Sequence, residues 1–272
     1  MAMQHPGKLA LVTGASSGIG WHIADQLAAE GWDILSVSNQ GGRLKELKEN
    51  LERNHGIAVT ILDMDLAREE AARELYRYCR ENGLEVELLV NNAGMFFFSE
   101  MVEADVLSAR AILQLHVTTP ALLCRLFGGD MKARGSGYIL NMSSISAVMP
   151  YPTISMYAPT KTFLRYFSRA IRTELKPYGV RVTCLIPGAT KTGLYAGMPQ
   201  VDAMVAGGGG AREPAWVARK GLQGLFRGKA EVVPGLLNRV VMRLAPLVPH
   251  SLISYLFRRY FMKPVVITKN HP

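Results

Sequence analysis

The chain has 272 residues, of which 49% are hydrophobic and 19% charged, which is enough to build the core of one large α/β domain. Its formal net charge is +9, but the segment from Val232 to Pro272 contains no Asp or Glu and carries six of the basic residues. The body of the chain is therefore nearly balanced, which argues against a general nucleic-acid binder with basic residues on its main domain.

The N-terminus and the cysteines indicate the cellular compartment. The opening residues MAMQHPGKLALVTG lack a basic segment followed by a long apolar run, and no run reaches the roughly 18 apolar residues of a spanning helix. Cys79, Cys124 and Cys184 are widely separated and fit neither a disulfide framework nor a zinc spacing, so no metal is expected. We expect a cytoplasmic protein with buried free thiols.

Short apolar runs alternate along the chain with longer segments of helical periodicity. The predicted strands are KLALVTG, WDILSVS, AVTILDMD, VELLVNNAG, YILNMSS, VRVTCLIPG and AEVVP. Predicted helices lie between them, including one around Leu107–Phe127 and one from about Met156 to Pro177. Strands separated by helices require crossover connections, which predicts a doubly wound parallel α/β sheet in a single domain.

The first predicted strand runs into a glycine-rich segment, TGASSGIG. Gly14, Gly18 and Gly20 would allow a tight turn and the close approach of a pyrophosphate, and the next helix would direct its N–H groups at that anion. An ordinary strand-to-helix loop has similar glycines, but the position between strand and helix is the setting that a dinucleotide loop requires.

Four motifs together resemble the short-chain dehydrogenase/reductase family. They are TGASSGIG at Thr13–Gly20, NNAG at Asn91–Gly94, Ser144 with YAPTK at Tyr157–Lys161, and PG at Pro187–Gly188. The resemblance covers roughly Lys8 to Val233 and implies an NAD(P)-binding Rossmann-type fold with hydride transfer at a carbonyl or alcohol carbon. We expect a catalytic domain over residues 1–233 and an extension of the same domain over 234–272.

The resemblance implies a cofactor site formed by the loops that follow the strands. Asp65 matches the family residue that reads the adenine amine, Asn91 the residue that stabilises the strand beside the cofactor, and Thr192 a contact to the carboxamide or pyrophosphate. The expected cofactor residues are Gly14, Ser16, Ser17, Gly18, Ile19, Gly20, Ser38, Asn39, Arg43, Asp65, Leu66, Asn91, Ala93, Gly94, Tyr157, Lys161, Pro187, Gly188, Thr190 and Thr192.

The end of the second strand bears on the choice between NAD and NADP. NAD-preferring Rossmann proteins carry an acid there that binds the ribose 2′-hydroxyl and repels a 2′-phosphate, whereas this chain has Ser38. Asn39 stands where NADP-preferring relatives often have Arg. Because nothing repels the phosphate, we expect NADP(H) to be preferred, with Ser38, Asn39 and Arg43 as candidate partners. Arg43 equally fits the start of a solvated helix.

Tyr157 and Lys161 are four residues apart, so they share one face of a helix. A nearby ammonium favours the phenolate, and Tyr157 could then exchange a proton with a substrate oxygen. The resemblance implies that Ser144 holds that oxygen and that Lys161 also binds the nicotinamide ribose. Alone, YxxxK would indicate a solvated pair, but with Ser144 and the glycine loop we expect catalysis. Pro159 requires the helix to begin near Met156 or Tyr157.

His116 is the single ionisable residue in the run ILQLHVTTPALL. Family members commonly have Asn at this position, and that Asn helps to hold a water that links the lysine to solvent. By resemblance, His116 is a fourth catalytic candidate, a neutral imidazole that holds the same water. The alternative is a core histidine whose hydrogen bonds are satisfied within the protein.

Two segments in the last third of the chain are expected to lie near the substrate or the membrane. Residues 190–215, with four glycines at Gly207–Gly210, are expected to form a lid, or alternatively an insertion without ligand contact. The tail at 235–263 has apolar stripes interspersed with arginines, which suits contact with the inner membrane surface. A tail folded over the pocket or packed in an oligomer interface fits the same pattern.

Together these features predict an NADP(H)-dependent oxidoreductase that interconverts a ketone and a secondary alcohol on a hydrophobic substrate, such as a steroid, a sphingoid or another lipid. Two alternatives stay open, namely a 3-oxoacyl thioester reductase of fatty-acid metabolism and a catalytically silent dinucleotide-binding protein associated with membranes. The family resemblance also implies a homodimer or homotetramer.

Overall fold

A computed structural model describes residues 8–148, 151–195 and 211–261, and within these ranges seven strands form one sheet in the order β3-β2-β1-β4-β5-β6-β7. All neighbouring strands run parallel, which confirms the predicted doubly wound sheet. The strands are β1 (Leu9–Thr13), β2 (Asp33–Ser38), β3 (Val59–Asp63), β4 (Val86–Asn91), β5 (Gly137–Met142), β6 (Val180–Leu185) and β7 (Glu231–Val232).

Helices cover both faces of the sheet. They are α1 (Gly18–Ala29), α2 (Gly41–His55), α3 (Ala71–Glu81), α4 (Val106–Leu113), α5 (Thr119–Arg134), α6 (Tyr157–Leu175), α7 (Pro214–Phe226), α8 (Leu236–Leu244) and α9 (His250–Phe261). Successive strand residues point to opposite faces, so Ala10 and Val12 join α1, α2 and α7 in one apolar cluster. Leu11 joins α3, α5 and α6 in the other.

The single helix predicted around Leu107–Phe127 is instead two helices, α4 and α5, joined by a π-helical turn at Gln114–Thr118. Pro120 lacks the N–H that would donate to the carbonyl of His116 in an α-helix, and the wider turn ends at Thr118, two residues before it. The turn directs the His116 side chain, 1% exposed, toward α6.

Among the described residues, one helical run, Val106–Arg134, is long and apolar enough to cross a bilayer by length and composition alone. Its Leu123, Phe127 and Met131 side chains are buried against the sheet. That side of the run is therefore part of the core, whereas Val106 and Leu107 are exposed.

The strand order reverses at β1, since β2 lies on one side of it and β4 on the other. In doubly wound sheets, ligands bind outside the carboxyl ends of the strands at such a point. Here β1 leads into the glycine loop, β4 into NNAG, β5 into Ser143 and Ser144, and β6 toward Pro187. The fold thus brings motifs far apart in sequence to one edge of the sheet.

Candidate active site

A cleft of about 500 Å³ opens at the carboxyl ends of the strands. Its lining includes residues of the glycine loop and all three residues of the predicted Ser–Tyr–Lys set. The predicted cofactor residues that line it are Gly14, Ser16, Ser17, Gly18, Ile19, Ser38, Asn39, Asp65, Leu66, Ala93, Gly94, Tyr157, Lys161, Pro187, Thr190 and Thr192. In the described ranges, His, Cys, Asp and Glu side chains do not gather in threes as metal ligands.

The glycine loop is packed so closely that it leaves no room for a side chain at Gly14 or Gly20. A Cβ atom on Gly20 would overlap the carbonyl oxygen of Gly14 and the Nδ2 atom of Asn92. Gly14 itself has a φ of +64°, a conformation that favours glycine. Gly20 lies outside the cleft lining and shapes the loop from below.

Two residues that hold this loop were not predicted from the sequence, Thr13 and Asn92. The Oγ1 atom of Thr13 donates to the carbonyl of Val90 at 3.0 Å and accepts from the N–H groups of Asn92 and Ala93. The Nδ2 atom of Asn92 donates to the carbonyls of Thr13 and Gly14 at 3.0 and 3.1 Å. Thr13 belongs to the TGASSGIG motif and Asn92 to the NNAG motif, so the two motifs could have identified these residues from the sequence.

After β2, the cleft is lined by Ser38, Asn39 and Gln40, of which Gln40 was not predicted. The hydroxyl of Ser38 donates to Oγ of Ser16 at 2.9 Å. Arg43, one of the candidate partners of a 2′-phosphate, is exposed on α2, and its guanidinium lies 3.0 Å from the Glu46 carboxylate. This exposed ion pair fits the solvated-helix alternative, and a contact between Arg43 and a 2′-phosphate stays a prediction.

Asn91 and Gly188 adjoin the cleft without lining it. The Nδ2 atom of Asn91 donates to Oδ1 of Asn141 at 2.8 Å, which links β4 to β5 beneath the cleft. Gly188 packs against Asn238 of α8, and a Cβ atom there would lie 2.7 Å from the Oδ1 atom of that side chain. Both residues support their neighbours on the cleft wall.

Tyr157 and Lys161 lie one turn apart on α6, which begins at Tyr157 as Pro159 requires. Both are buried, and the Nζ atom of Lys161 lies 5.4 Å from the centre of the Tyr157 ring. That ammonium donates to the carbonyl of Met142 at 3.2 Å, and burial lowers the pKa of Lys161 to about 8. A proton donor and a positive charge thus share the inner wall of the cleft.

Ser143 and Ser144 follow β5 but have different environments. The hydroxyl of Ser143 donates to the carbonyl of Lys161 at 2.7 Å, so it ties β5 to α6. Both serines line the cleft, but the Oγ of Ser144 accepts the N–H of Ser146 at 3.2 Å, which leaves its own proton to donate elsewhere. Of the two hydroxyls, that of Ser144 therefore has its proton available for a ligand.

His116 lies behind Tyr157 and both of its ring nitrogens have protein partners. The Nε2 atom accepts the N–H of Met95 at 3.0 Å, which assigns the ring proton to Nδ1, 3.0 Å from Oγ1 of Thr160. Thr160 in turn donates to the carbonyl of Tyr157 at 2.7 Å. Burial, with a smaller contribution from the charge of Lys161, lowers the pKa of His116 well below its usual range, so the imidazole is neutral.

Aromatic side chains pack on Tyr157. Phe96 lies with its ring centre 4.8 Å from that of Tyr157, and Phe98 stands 4.9 Å from Phe96. This packing of the aromatic run after NNAG was not predicted. The apolar residues that line the cleft are Ile19, Met64, Leu66, Ala67, Ala93, Met95, Ala111, Leu115, Met142, Pro187 and Leu194. Residues 196–210 of the predicted lid, with Gly207–Gly210, lie outside the described residues.

Comparison with known proteins identifies the family to which the fold and the cleft point. The family model described as short chain dehydrogenase matches residues 8–207. The 17-beta-hydroxysteroid dehydrogenase type 3 of Mus musculus is 32% identical over 190 residues, which are 68% of this chain and 61% of that protein. The very-long-chain 3-oxoacyl-CoA reductase-A of Danio rerio is 30% identical over 186 residues, 66% of this chain and 57% of that protein. The chain thus spans about three fifths of the length of these curated relatives.

Among solved structures, a short-chain dehydrogenase from Sphingobium yanoikuyae in complex with NADPH matches with a TM-score of 0.78 and 27% identity. The match covers 90% of this chain and 97% of that chain. The seven-stranded parallel sheet, the motifs gathered at its carboxyl edge and the family model agree. This chain belongs to the short-chain dehydrogenase family.

Proposed function

We propose that this protein is an NADP(H)-dependent oxidoreductase that interconverts a ketone and a secondary alcohol on a hydrophobic substrate. One observation carries the proposal: Ser144, Tyr157 and Lys161 line the same cleft as the glycine loop. Membership of the short-chain dehydrogenase family supports the reaction class. Turnover of NADPH with a panel of lipid ketones tests it, and dinucleotide binding without turnover of any ketone would favour the catalytically silent alternative.

The cleft has the features that a dinucleotide requires. Gly14 and Gly18 adopt φ angles of +64° and +56°, a backbone conformation that favours glycine in the tight turn after β1. Helix α1 begins at Gly18, and the N–H groups at its first turn suit a pyrophosphate. Gly18 also packs against Thr192, where a Cβ atom would come within 2.9 Å of the threonine methyl group. We assign the pyrophosphate to this cradle.

The catalytic roles follow from the positions of the three side chains. When bound, the nicotinamide supplies or accepts the hydride. In the reductive direction Ser144 donates a hydrogen bond to the carbonyl oxygen and Tyr157 transfers its phenolic proton to it. The charge on Lys161, 5.4 Å from the centre of the tyrosine ring, stabilises the phenolate that remains. In the oxidative direction Tyr157 takes the proton back.

The apolar wall supports a hydrophobic substrate. Met95, Leu115 and Leu194 line the cleft, and the ring of Phe96 packs on Tyr157. The mouse relative is named for a hydroxysteroid and the zebrafish relative for a very-long-chain 3-oxoacyl-CoA. The second name favours 3-oxoacyl thioester reduction as an alternative. A panel of steroid ketones, sphingoid-type ketones and 3-oxoacyl thioesters of increasing length separates the two.

The preference for NADP(H) is testable at Ser38. We expect Ser38→Asp to lower kcat/KM for NADPH by about tenfold or more relative to NADH, since about 1.4 kcal/mol of repulsion at the 2′-phosphate suffices. Initial rates with both dinucleotides measure this ratio. Ser38→Asn, which has the same shape as Ser38→Asp but adds no charge, is the control. A wild-type enzyme that uses NADH as well as NADPH would contradict the preference.

We propose that His116 is a positioning residue that joins the Met95 loop to the first turn of α6. It does so through Thr160, whose hydroxyl donates to the Tyr157 carbonyl. Because both ring nitrogens are bound, the water-mediated relay expected from the resemblance would need one of these hydrogen bonds to break. Gly94 permits the arrangement, since a Cβ there would lie 2.9 Å from Nε2 of His116.

The buried, neutral state of His116 predicts that the stability of the protein depends on pH. In the unfolded chain, histidine binds a proton as the pH falls through about 6.5, whereas folded His116 does not. The unfolded state then binds more protons, so the wild type should lose about 1.4 kcal/mol of stability per pH unit relative to His116→Asn below that value. Urea unfolding of both proteins above and below pH 6.5 measures this difference. Parallel curves would contradict a buried neutral imidazole.

A further inference from the structure

Among the described residues, the C-terminal helices carry a series of exposed apolar side chains. The side chains of this tail face are between 38% and 77% exposed, and a patch of this kind marks an interaction site. The tail face consists of Leu236, Leu237, Val240, Leu244, Leu247, Val248, Leu252 and Tyr255.

The opposite side of α8 is fixed to the body of the protein at the substrate end of the cleft. Met242 is buried with Cys184 and Ile186, and the turn at Ile145–Val148, which directly follows Ser144, packs on the same cluster. Asn238 packs on Gly188, the neighbour of the cleft residue Pro187. Helix α8 therefore holds the tail face next to the part of the cleft where substrate is expected.

The charges of this segment indicate what covers the tail face. Arg239, Arg243 and Arg259 are exposed, and the sequence has no Asp or Glu from Val232 to Pro272. A second copy paired through the same face would bring two sets of arginines together. The headgroups of an anionic bilayer would instead pair with the arginines while its acyl region takes the leucines.

We propose that the tail face docks on an anionic lipid bilayer and sets the substrate end of the cleft against the membrane. A lipid ketone then passes from the bilayer into the cleft without crossing water. The membrane contact is inferred from the tail face alone, whereas the delivery of substrate rests on the proposed function.

Flotation of the full chain with vesicles tests the contact. We expect binding to vesicles of phosphatidylcholine with phosphatidylglycerol, and weaker binding to phosphatidylcholine alone or at high salt. Leu237→Glu and Arg243→Glu should each weaken binding about fivefold or more, the factor that corresponds to about 1 kcal/mol for one basic residue near the surface. Val102→Glu, at an 86% exposed apolar position outside the tail, is the matched control and should bind as the wild type does.

Failure to float with anionic vesicles would overturn the proposal, as would an equal loss of binding in Val102→Glu. Self-association of the wild type that Leu237→Glu abolishes, without vesicle binding, would assign the tail face to a second copy instead. Delivery predicts that the tail variants turn over a water-soluble ketone normally but a vesicle-borne ketone more slowly. Vesicle binding without turnover of any ketone would leave the membrane contact standing and refute the proposed function.

Discussion

Replacing Tyr157 with phenylalanine is expected to lower kcat by about 10²–10⁴-fold, the usual contribution of a positioned general acid or base. The change removes only the phenolic oxygen. The ring keeps its packing against Phe96 and against His116, at 4.8 and 5.6 Å between ring centres, so the site stays folded. Dinucleotide affinity, followed by NADPH fluorescence, should change little while ketone turnover is lost.

Tyr166→Phe is the matched control for this experiment. Tyr166 lies on the same helix and is 60% exposed, and it is not part of the cleft lining. Removing the Tyr166 hydroxyl should leave kcat and KM unchanged. Turnover retained in Tyr157→Phe would refute the assignment of the proton donor, and loss of dinucleotide binding would show that the hydroxyl serves the cofactor.

Replacing Gly20 with alanine is expected to weaken dinucleotide binding by about ten- to a hundredfold. The new methyl group would overlap the carbonyl oxygen of Gly14 and the Asn92 amide, neither of which can move freely. Overpacking of this kind costs about 1–3 kcal/mol, and it is relieved by displacing the loop that cradles the pyrophosphate. Fluorescence titration with NADPH measures the affinity, and thermal unfolding measures the accompanying fall in Tm.

Gly129→Ala provides the comparison. Gly129 lies on α5 with an ordinary helical φ, and a Cβ there meets no atom within 4 Å. Alanine should leave dinucleotide affinity unchanged and raise stability by about 0.5–1 kcal/mol, because a helix interior favours alanine over glycine. Equal affinity in Gly20→Ala and the wild type would mean that the loop tolerates the methyl group and that its packing does not set the cofactor site.

Much of the fold could be predicted from local sequence. Each strand is a short apolar run, and each helix between strands has its own stripe of buried residues, such as Leu44, Leu47 and Leu51 on α2. Periodicity of this kind depends only on neighbours along the chain. The shared helical face of Tyr157 and Lys161, two of the proposed catalytic residues, was predictable for a different reason, since residues four apart need no tertiary information to share it.

The rest depended on contacts between distant segments. The environment of His116 is set by Met95 and by Thr160, and neither contact follows from the spacing around the histidine. The π-turn had a visible cause in Pro120, but whether a proline kinks, ends or widens a helix depends on what packs around it.

Deuterium transfer tests the central claim most directly. NADPH carrying deuterium at both C4 positions of the nicotinamide is incubated with the protein and a panel of steroid, sphingoid-type and 3-oxoacyl ketones, and the products are analysed by mass spectrometry. The proposed function predicts a secondary alcohol with one deuterium on the carbinol carbon, formed by the wild type and nearly absent with Tyr157→Phe. Binding of NADPH without label in any alcohol would contradict it.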